Sequence, residues 1–230
     1  MTITTTTLTK AAGLSAVAAG LTFIGVQIGH PHLDAESVTS TEVAVRTGFK
    51  VLMAALALVG LTGMYLRQVT KTGVLGLVGY VVISACYLLI MSTTLATGFA
   101  VPAVADTNPD YVNDVITAAT GGNPTGDIGL LQPILQVQGV FFLAGGLLFG
   151  IALFRARVLA RWAAAVLAVG GFASVALSQM PDAFYRLLAV PNAVAMIGLG
   201  YSLWSITRAA QAAERTGHAP VPAPAASAGA

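Results

Sequence analysis

Residues 146–170 read GLLFGIALFRARVLARWAAAVLAVG, two apolar stretches separated by a turn that carries Arg155, Arg157 and Arg161. A membrane-spanning helix needs about 20 predominantly apolar residues, and Lys and Arg accumulate in the cytoplasmic turns of membrane proteins. The segment therefore predicts two membrane helices joined by a cytoplasmic turn. Residues 60–79 repeat the arrangement around Arg67 and Lys71.

The composition of the whole chain is also that of a membrane protein. It is 56% hydrophobic and 9% charged, whereas a soluble domain carries about 25% charged residues. We therefore expect an all-α, polytopic membrane helical bundle with six transmembrane helices. The six apolar stretches are residues 11–29, 47–66, 73–101, 130–154, 162–180 and 184–206. No small-residue cleavage site follows the first stretch, so it is interpreted as a retained helix and not a signal peptide.

The segments between the apolar stretches alternate in charge, which predicts a topology with both the N- and C-termini cytoplasmic. Segments of one set are basic and contain a single acid, Glu214. Their cations are Lys10, Arg67, Lys71, Arg155, Arg157, Arg161, Arg208 and Arg215. Segments of the other set are acidic and hold Asp34, Glu36, Glu42, Asp106, Asp110, Asp114, Asp127 and Asp182.

The predicted organisation is an N-terminal tail (1–10), a six-helix transmembrane domain (11–208) and a disordered Ala/Pro-rich tail (209–230). A longer connection, residues 102–129, has room for a short helix at 111–120. The net charge of +2 arises from sidedness and not from a basic patch, so we expect no nucleic-acid partner. The expected location is the cell membrane, with membrane lipids as partners. The sequence leaves the oligomeric state open.

Three cations stand out because they lie on the acidic side: Arg46, Lys50 and Arg186. Glu42, Arg46 and Lys50 recur every four residues, so they share one stripe of a helix. One interpretation is that Arg46 and Lys50 bind an anionic head group or substrate, with Glu42 titrating nearby. The alternative is that Lys50 extends to the membrane surface while Glu42 pairs with Arg46.

Asp182 and Arg186, with Tyr185 between them, form a similar pair at the start of the sixth stretch. An intrahelical ion pair and a helix cap would explain them. Alternatively, Asp182 and Glu42 form a carboxylate pair above one cavity, where partial burial would let one of them donate a proton.

Amide side chains inside apolar stretches are costly unless they find partners. Gln136 and Asn192 either bond across helices or line a cavity, and both alternatives stay open. Two small-residue patterns, Gly25-xxx-Gly29 and Gly146-xxx-Gly150, predict close helix packing.

No cofactor and no metal site is predicted. His30, His32, Asp34 and Glu36 could in principle bind zinc, but their spacing matches no metal motif and a solvated loop is the preferred interpretation. No phosphate-binding glycine loop or hydrolase motif is found in the sequence.

The segment from Phe154 to Gly171, followed by Met180-Pro181-Asp182, resembles a pattern in small actinobacterial multi-pass membrane proteins of the uncharacterised DUF4386-type group. The resemblance covers about the last two-fifths of the chain. It implies a bundle of six or seven helices and no catalytic residue. The chain is also loosely similar, in length, hydrophobicity and carboxylates at helix ends, to membrane-bound terpene cyclases, which protonate isoprenoids with acidic residues.

Three functions remain at this point. The first is an outward-facing polar pocket that binds a lipidic or small amphiphilic molecule through Arg46, Lys50, Gln136, Tyr185, Arg186 and Asn192. The second is an enzyme that uses Glu42 and Asp182 as acid or base on an isoprenoid or lipid. The third is a transporter or channel subunit, which the lack of charged residues near the middle of any predicted helix disfavours.

Overall fold

The computed structural model describes residues 3–29, 33–178 and 189–215, and within these ranges all regular structure is helical. The helices are α1 (Thr5–Gly25), α2 (Thr41–Arg67), α3 (Val69–Leu95), α4 (Pro109–Ala119), α5 (Leu131–Ala156), α6 (Arg161–Ser178) and α7 (Val190–Arg215). The helix predicted at 111–120 is therefore present as α4.

Four of the described segments are long and apolar enough to cross a membrane. They are α1, α2, α5 and the continuous segment Val69–Val104 that begins with α3. Many large apolar side chains on these helices point outward, such as Val74, which is 77% exposed, and Val140, which is 60% exposed. Such surfaces suit contact with lipid, so the fold is that of an all-α membrane protein. Helices α6 and α7 occupy the last two predicted stretches.

Among the described residues, the six long helices form a closed ring. Each packs against its neighbour in the order α1, α2, α3, α5, α6, α7, and α7 packs against α1. Neighbouring helices are antiparallel. The Lys10 ammonium near the start of α1 donates a 2.7 Å hydrogen bond to Gln211 Oε1 near the end of α7.

Glycine brings the helices of the ring into close contact. A Cβ atom added at Gly13 would lie 2.8 Å from the carbonyl oxygen of Gly200, and one at Gly79 would lie 2.5 Å from the backbone nitrogen of Phe149. Glycine is needed at these positions because the neighbouring backbone fills the space of a side chain. Small residues at helix contacts are the usual means of association in lipid.

Of the two glycine patterns predicted to pack, one does. Gly150 lies against α6, where a Cβ would come within 2.5 Å of the Ala168 nitrogen, and Gly146 faces the Leu167 carbonyl. The prediction for Gly25 and Gly29 is wrong. No atom of the described residues lies within 4 Å of a Cβ added at Gly25, and Gly29 lies beyond α1 with φ +63°. Gly29 therefore belongs to a turn and not to a contact between two helices.

The two ends of the ring differ in charge, as the alternation in the sequence predicts. The last turn of α2 and the α5–α6 turn bring Arg67, Arg155, Arg157 and Arg161 to one end, called the basic end here. The opposite end, called the acidic end, carries a cap formed by residues 33–39 and 101–129, including α4. The cap and the start of α2 share an apolar core of Val38, Val43, Val101, Ala105, Val112, Val115 and Ile128.

Helical structure extends past the predicted domain borders. Helix α1 begins at Thr5, where the hydroxyl of Thr4 accepts the Thr7 N–H at 3.2 Å, so about half of the predicted N-terminal tail is helical. Helix α7 continues to Arg215, beyond the predicted border at 208.

Candidate functional site

A cavity of about 160 Å³ lies at the acidic end between α2, α3, α5 and the cap. Two cations from successive turns of α2, Arg46 and Lys50, line it. Among the lining residues that the structure describes, none is Asp or Glu. The described part of the lining therefore carries cations although the cavity lies at the acidic end of the bundle.

Hydroxyl groups form much of the remaining polar lining. They belong to Thr47, Thr93, Thr94, Thr97 and Thr120. A threonine hydroxyl both donates and accepts hydrogen bonds, so this lining can adapt to the oxygen atoms of a polar ligand.

The other part of the lining is apolar and comes mostly from the cap and the start of α5. It consists of Leu33, Val38, Val43, Ile116, Ala119 and Leu135. The cavity is thus amphipathic, with charge and hydroxyls on one side and aliphatic side chains on the other.

The guanidinium of Arg46 has all five of its N–H donors engaged. Two of the hydrogen bonds, of 3.0 Å from Nε and 2.9 Å from Nη2, go to Glu42 Oε1. The other three reach the carbonyl oxygens of Val26 (3.1 Å), Ile28 (2.9 Å) and Gly29 (3.0 Å). Arg46 therefore ties the end of α1 to the start of α2.

The local sequence explains this arrangement. Helix α1 ends at Gly25, and the last carbonyls of a helix lack intrahelical donors, so a cation beside them is favourable. Ser40 caps α2 by accepting the Val43 N–H at 3.4 Å. Glu42 then lies in the first turn of α2, where the helix dipole favours a carboxylate. Glu42 pairs with Arg46, as one of the two interpretations expects, and does not line the cavity.

Lys50 lies one helical turn further along α2 than Arg46, is partly buried, and lines the same cavity. The structure therefore brings Arg46 and Lys50 together at one cavity but gives them different surroundings. The Arg46 side chain is bound to Glu42 and to carbonyls that follow α1, and Lys50 lines the cavity together with the threonines.

A π-helical turn, Ala96–Ala100, follows α3 and forms one wall of the cavity through Thr97 and Gly98. Gly98 packs directly on the Thr47 side chain of α2, leaving no room for a Cβ. Such single π-helical turns occur often at functional sites.

Gln138, and not Gln136, is the glutamine of α5 that lines the cavity. The Thr93 hydroxyl donates to Gln138 Oε1 at 2.8 Å, which joins α3 to α5. Gln136 is exposed on another face of α5.

Asn192 is buried between α6 and α7, where its Nδ2 donates to the Ser174 hydroxyl at 3.2 Å. Gly170 makes room for it, since a Cβ there would lie 2.9 Å from Asn192 Oδ1. Asn192 does not line the cavity, and its contacts are those of the packing alternative. Helix α7 begins at Val190, so Pro191 lies in its first turn, where proline costs little.

Three acidic side chains of the cap, Asp34, Asp114 and Asp127, bind backbone N–H groups. Asp114 accepts hydrogen bonds from the N–H groups of Thr125 (2.7 Å) and Gly126 (3.0 Å). Asp127 accepts the Gly129 N–H at 2.7 Å, and Asp34 accepts the Ser37 N–H at 2.7 Å. These carboxylates shape the cap without lining the cavity.

Asp182, Tyr185 and Arg186 lie outside the described residues, as do His30 and His32. Within the described ranges, no three His, Cys, Asp or Glu side chains converge on a position for a metal ion.

The threonines and Gln138 were not predicted as site residues. A signal for the threonines is present in the sequence, where Ser92, Thr93, Thr94 and Thr97 place four hydroxyls at the end of an apolar stretch. Gln138 gave no comparable signal, because three glutamines follow one another within two turns of the same helix.

Comparison with known proteins gives no match: no family model fits the chain, and no curated protein or solved structure is significantly similar to it. The resemblance to the DUF4386-type group and to terpene cyclases therefore stays a prediction, and the geometry of the acidic-end cavity has to support any functional conclusion.

Proposed function

We propose that the chain is a multi-pass integral membrane protein of the cell membrane, with six spans and cytoplasmic termini, whose outward-facing cavity binds a small amphiphilic molecule. Four apolar helices of sufficient length and a closed six-helix ring support the membrane architecture. The charge difference between the two ends supports the orientation, because the basic end is expected on the cytoplasmic side.

The lining of the acidic-end cavity carries the binding proposal. It combines Arg46, Lys50 and five threonines with six aliphatic side chains from the cap and helices. Ligand sites are concave, largely apolar and supplied with a few convergent polar groups. A molecule with a polar head and a short apolar body matches both sides of the lining.

The size of the cavity restricts the ligand. Its volume of about 160 Å³ lies below the roughly 300–1,000 Å³ typical of pockets for drug-sized molecules. We therefore propose that it takes a small amphiphile, or the head group and first carbons of a lipid, and does not enclose a complete isoprenoid.

Carboxylate catalysis has less support. The Glu42 side chain is 61% exposed, and its carboxylate is bound to Arg46 2.9 Å away. It lies off the cavity, and Asp182 is outside the described residues.

Transport also has less support. Large buried side chains fill the ring on the way to the basic end, among them Leu61, Met64, Phe149, Leu153, Leu199 and Leu203. A binding pocket with a closed bottom fits this packing better than a path across the membrane.

The topology is tested by labelling single cysteines in intact cells with a membrane-impermeant maleimide. Cys86→Ala removes the one native cysteine, and Asp106→Cys and Arg155→Cys then place exposed thiols at opposite ends. We expect Asp106→Cys to react in intact cells and Arg155→Cys to react only after permeabilisation. The reverse pattern would contradict the orientation.

Binding is tested with purified protein in lipid nanodiscs and three six-carbon probes, hexanoate, hexanamide and hexylamine, followed by saturation-transfer NMR. We expect at least one probe to bind, and Thr97→Leu to abolish this binding by filling the cavity. The matched control is Thr6→Leu, at the opposite end of the bundle, which should leave it unchanged. Absence of binding by all three probes would contradict the proposed function.

A further inference from the structure

We propose that the turn between α5 and α6 binds the phosphate of an anionic phospholipid. The turn is called the arginine turn here and contains Arg155, Arg157 and Arg161, all of them exposed. It lies at the basic end of the bundle, opposite the acidic-end cavity. The proposal therefore goes beyond the ligand of that cavity and can fail without affecting it.

The guanidinium groups of the arginine turn have donors available for a ligand. Within the described part of the chain, none of the three makes a hydrogen bond or an ion pair with the protein. The one acid outside that part, Asp182, follows the opposite end of α6 in the sequence. Each guanidinium presents N–H donors in a fixed fork, and two oxygens of a phosphate match two parallel donors of this fork.

Arg161 is held in a geometry that suits phosphate binding. Its guanidinium carbon lies 4.1 Å from the centre of the Phe154 ring, a distance at which a cation is attracted to the face of an aromatic ring. The contact restricts the side chain and leaves the N–H groups at the edge of the guanidinium free. Binding then costs less side-chain entropy than it would for a freely moving arginine.

Arg157 has a backbone conformation that is unfavourable for a residue with a side chain. It ends α5 in the left-handed region with φ +57°, and it is the one non-glycine residue with positive φ in the described ranges. Glycine is the usual residue at such a helix end because it has no Cβ. The turn itself therefore does not require an arginine here, whereas binding of an anion would.

The surface of α6 next to the arginine turn suits the acyl chains of a lipid. Trp162 follows Arg161 directly and is 56% exposed, and Val169 and Phe172 continue an exposed apolar face of the same helix. Tryptophan at the end of a membrane helix is typical of the level of the lipid head groups. A lipid with its phosphate at the arginine turn can lay an acyl chain along this face, which a free phosphate cannot do.

The α2–α3 turn at the same end provides a comparison. It carries Arg67 and Lys71, but Arg67 lines a groove that also contains Glu214. Among the described residues, neither Arg67 nor Lys71 lies over an aromatic ring. Comparing the two turns therefore separates a specific site from a general attraction to positive charge.

The test is native mass spectrometry of the full-length protein in detergent, titrated with dioleoyl phosphatidylglycerol or dioleoyl phosphatidylcholine. Both lipids have the same acyl chains and a phosphodiester, but only phosphatidylglycerol has a net negative charge. We expect it to bind at least about fivefold more tightly, the scale of one basic residue at an anionic surface. Equal affinities of the unsubstituted protein for the two lipids would overturn the proposal.

Variants then assign the preference to the arginine turn. Arg157→Gly combined with Arg161→Gln should remove it, and Arg157→Gly alone should reduce it without lowering stability, because glycine suits the backbone at this position. The matched control, Arg67→Gln combined with Lys71→Gln, removes the same charge at the same end and should keep the preference. An equal loss in the two double variants, or an unchanged preference in the folded Arg157→Gly protein, would overturn the site.

Inorganic phosphate distinguishes a lipid from a free anion. At the same concentration as phosphatidylglycerol it should not displace the lipid, because it lacks acyl chains that contact α6. Displacement would show that the turn binds free phosphate and would overturn the proposal of a lipid. The six-carbon probes of the acidic-end cavity are measured separately, so a failure at one end is distinguishable from a failure at the other.

Discussion

The two ends of the bundle each contain a concave site, and the smaller one has the more specific lining. The groove at the basic end has a volume of about 460 Å³ and is lined by Thr5, Thr6, Thr9, Arg67, Gln211 and Glu214, among others. It contains both signs of charge. The acidic-end cavity has a volume of about 160 Å³, and its described lining residues include Arg46 and Lys50 but no acid.

The difference shows that volume alone is a poor guide to a binding site. Arg67 and Glu214 give the groove no preferred sign of charge. Near the cavity, Asp34 and Asp114 of the cap are bound to backbone N–H groups and Glu42 is bound to Arg46. The acidic end thus contains many carboxylates, while the described residues that line its cavity include cations and no acid.

The largest expected effect concerns the residue that joins α1 to the acidic-end cavity. Arg46→Met should lower the free energy of unfolding by about 3 kcal/mol, because three carbonyls at the end of α1 lose a charged donor. The measurement is SDS-induced unfolding in mixed micelles, followed by circular dichroism.

Two substitutions serve as controls for Arg46→Met. Glu42→Gln should cost less than about 1 kcal/mol because the carboxylate is exposed. Arg46→Lys should restore little of the loss, since one ammonium cannot reproduce a five-donor fork. If Arg46→Met lowers the free energy of unfolding no more than Glu42→Gln does, Arg46 does not stabilise the protein by joining α2 to α1.

An intermediate effect on stability is expected when two glycines of α5 are replaced by alanine. Gly150→Ala should destabilise the protein by about 2 kcal/mol, because its Cβ would push against the backbone of α6. Gly139→Ala, where the Cβ meets no atom of the described residues within 4 Å, should be neutral or stabilising by up to about 1 kcal/mol. Equal unfolding curves for the two variants would contradict the close packing of α5 on α6.

The smallest effect on stability is expected from removing one interhelical hydrogen bond at each end of the bundle. Thr93 bonds Gln138 at 2.8 Å beside the cavity, and Thr62 bonds Tyr80 at 2.9 Å nearer the basic end. Thr93→Val and Thr62→Val should each cost about 0.6 kcal/mol. Only Thr93→Val should also weaken the binding of the six-carbon probes that bind the protein, as measured by calorimetry. An equal effect of both variants on binding would place the ligand elsewhere.

The parts of the fold that sequence predicts well depend on composition along the chain. Apolar length predicts the long helices, and the arginines at 155, 157 and 161 predict the basic end. The spacing of Glu42 and Arg46 predicts their pair, which the structure contains. These features follow from a single helix or from the sidedness of charge, without knowledge of any neighbouring helix.

The parts that sequence predicts poorly depend on how helices are rotated against one another. Gln136 and Gln138 are equally polar, yet packing of α3 on α5 turns Gln138 toward Thr93 and leaves Gln136 exposed. Likewise, Gly25 and Gly150 belong to the same kind of pattern, but within the part of the chain that the structure describes only Gly150 meets a neighbouring backbone. The three carbonyls bound by Arg46 come from another segment, which the spacing along α2 cannot reveal.

The closure of the ring by α1 and α7 has a consequence for biosynthesis. Gly13 and Gly20 of α1 pack against Gly200 and Ala193 of α7, which are separated from them by most of the chain. While the ribosome is still translating the middle helices, this face of α1 has no partner within the chain. The ring can close only after α7 has left the ribosome and entered the membrane. Truncation before α7 should therefore leave a nascent protein with an open seam, a state that membrane quality-control proteases can recognise.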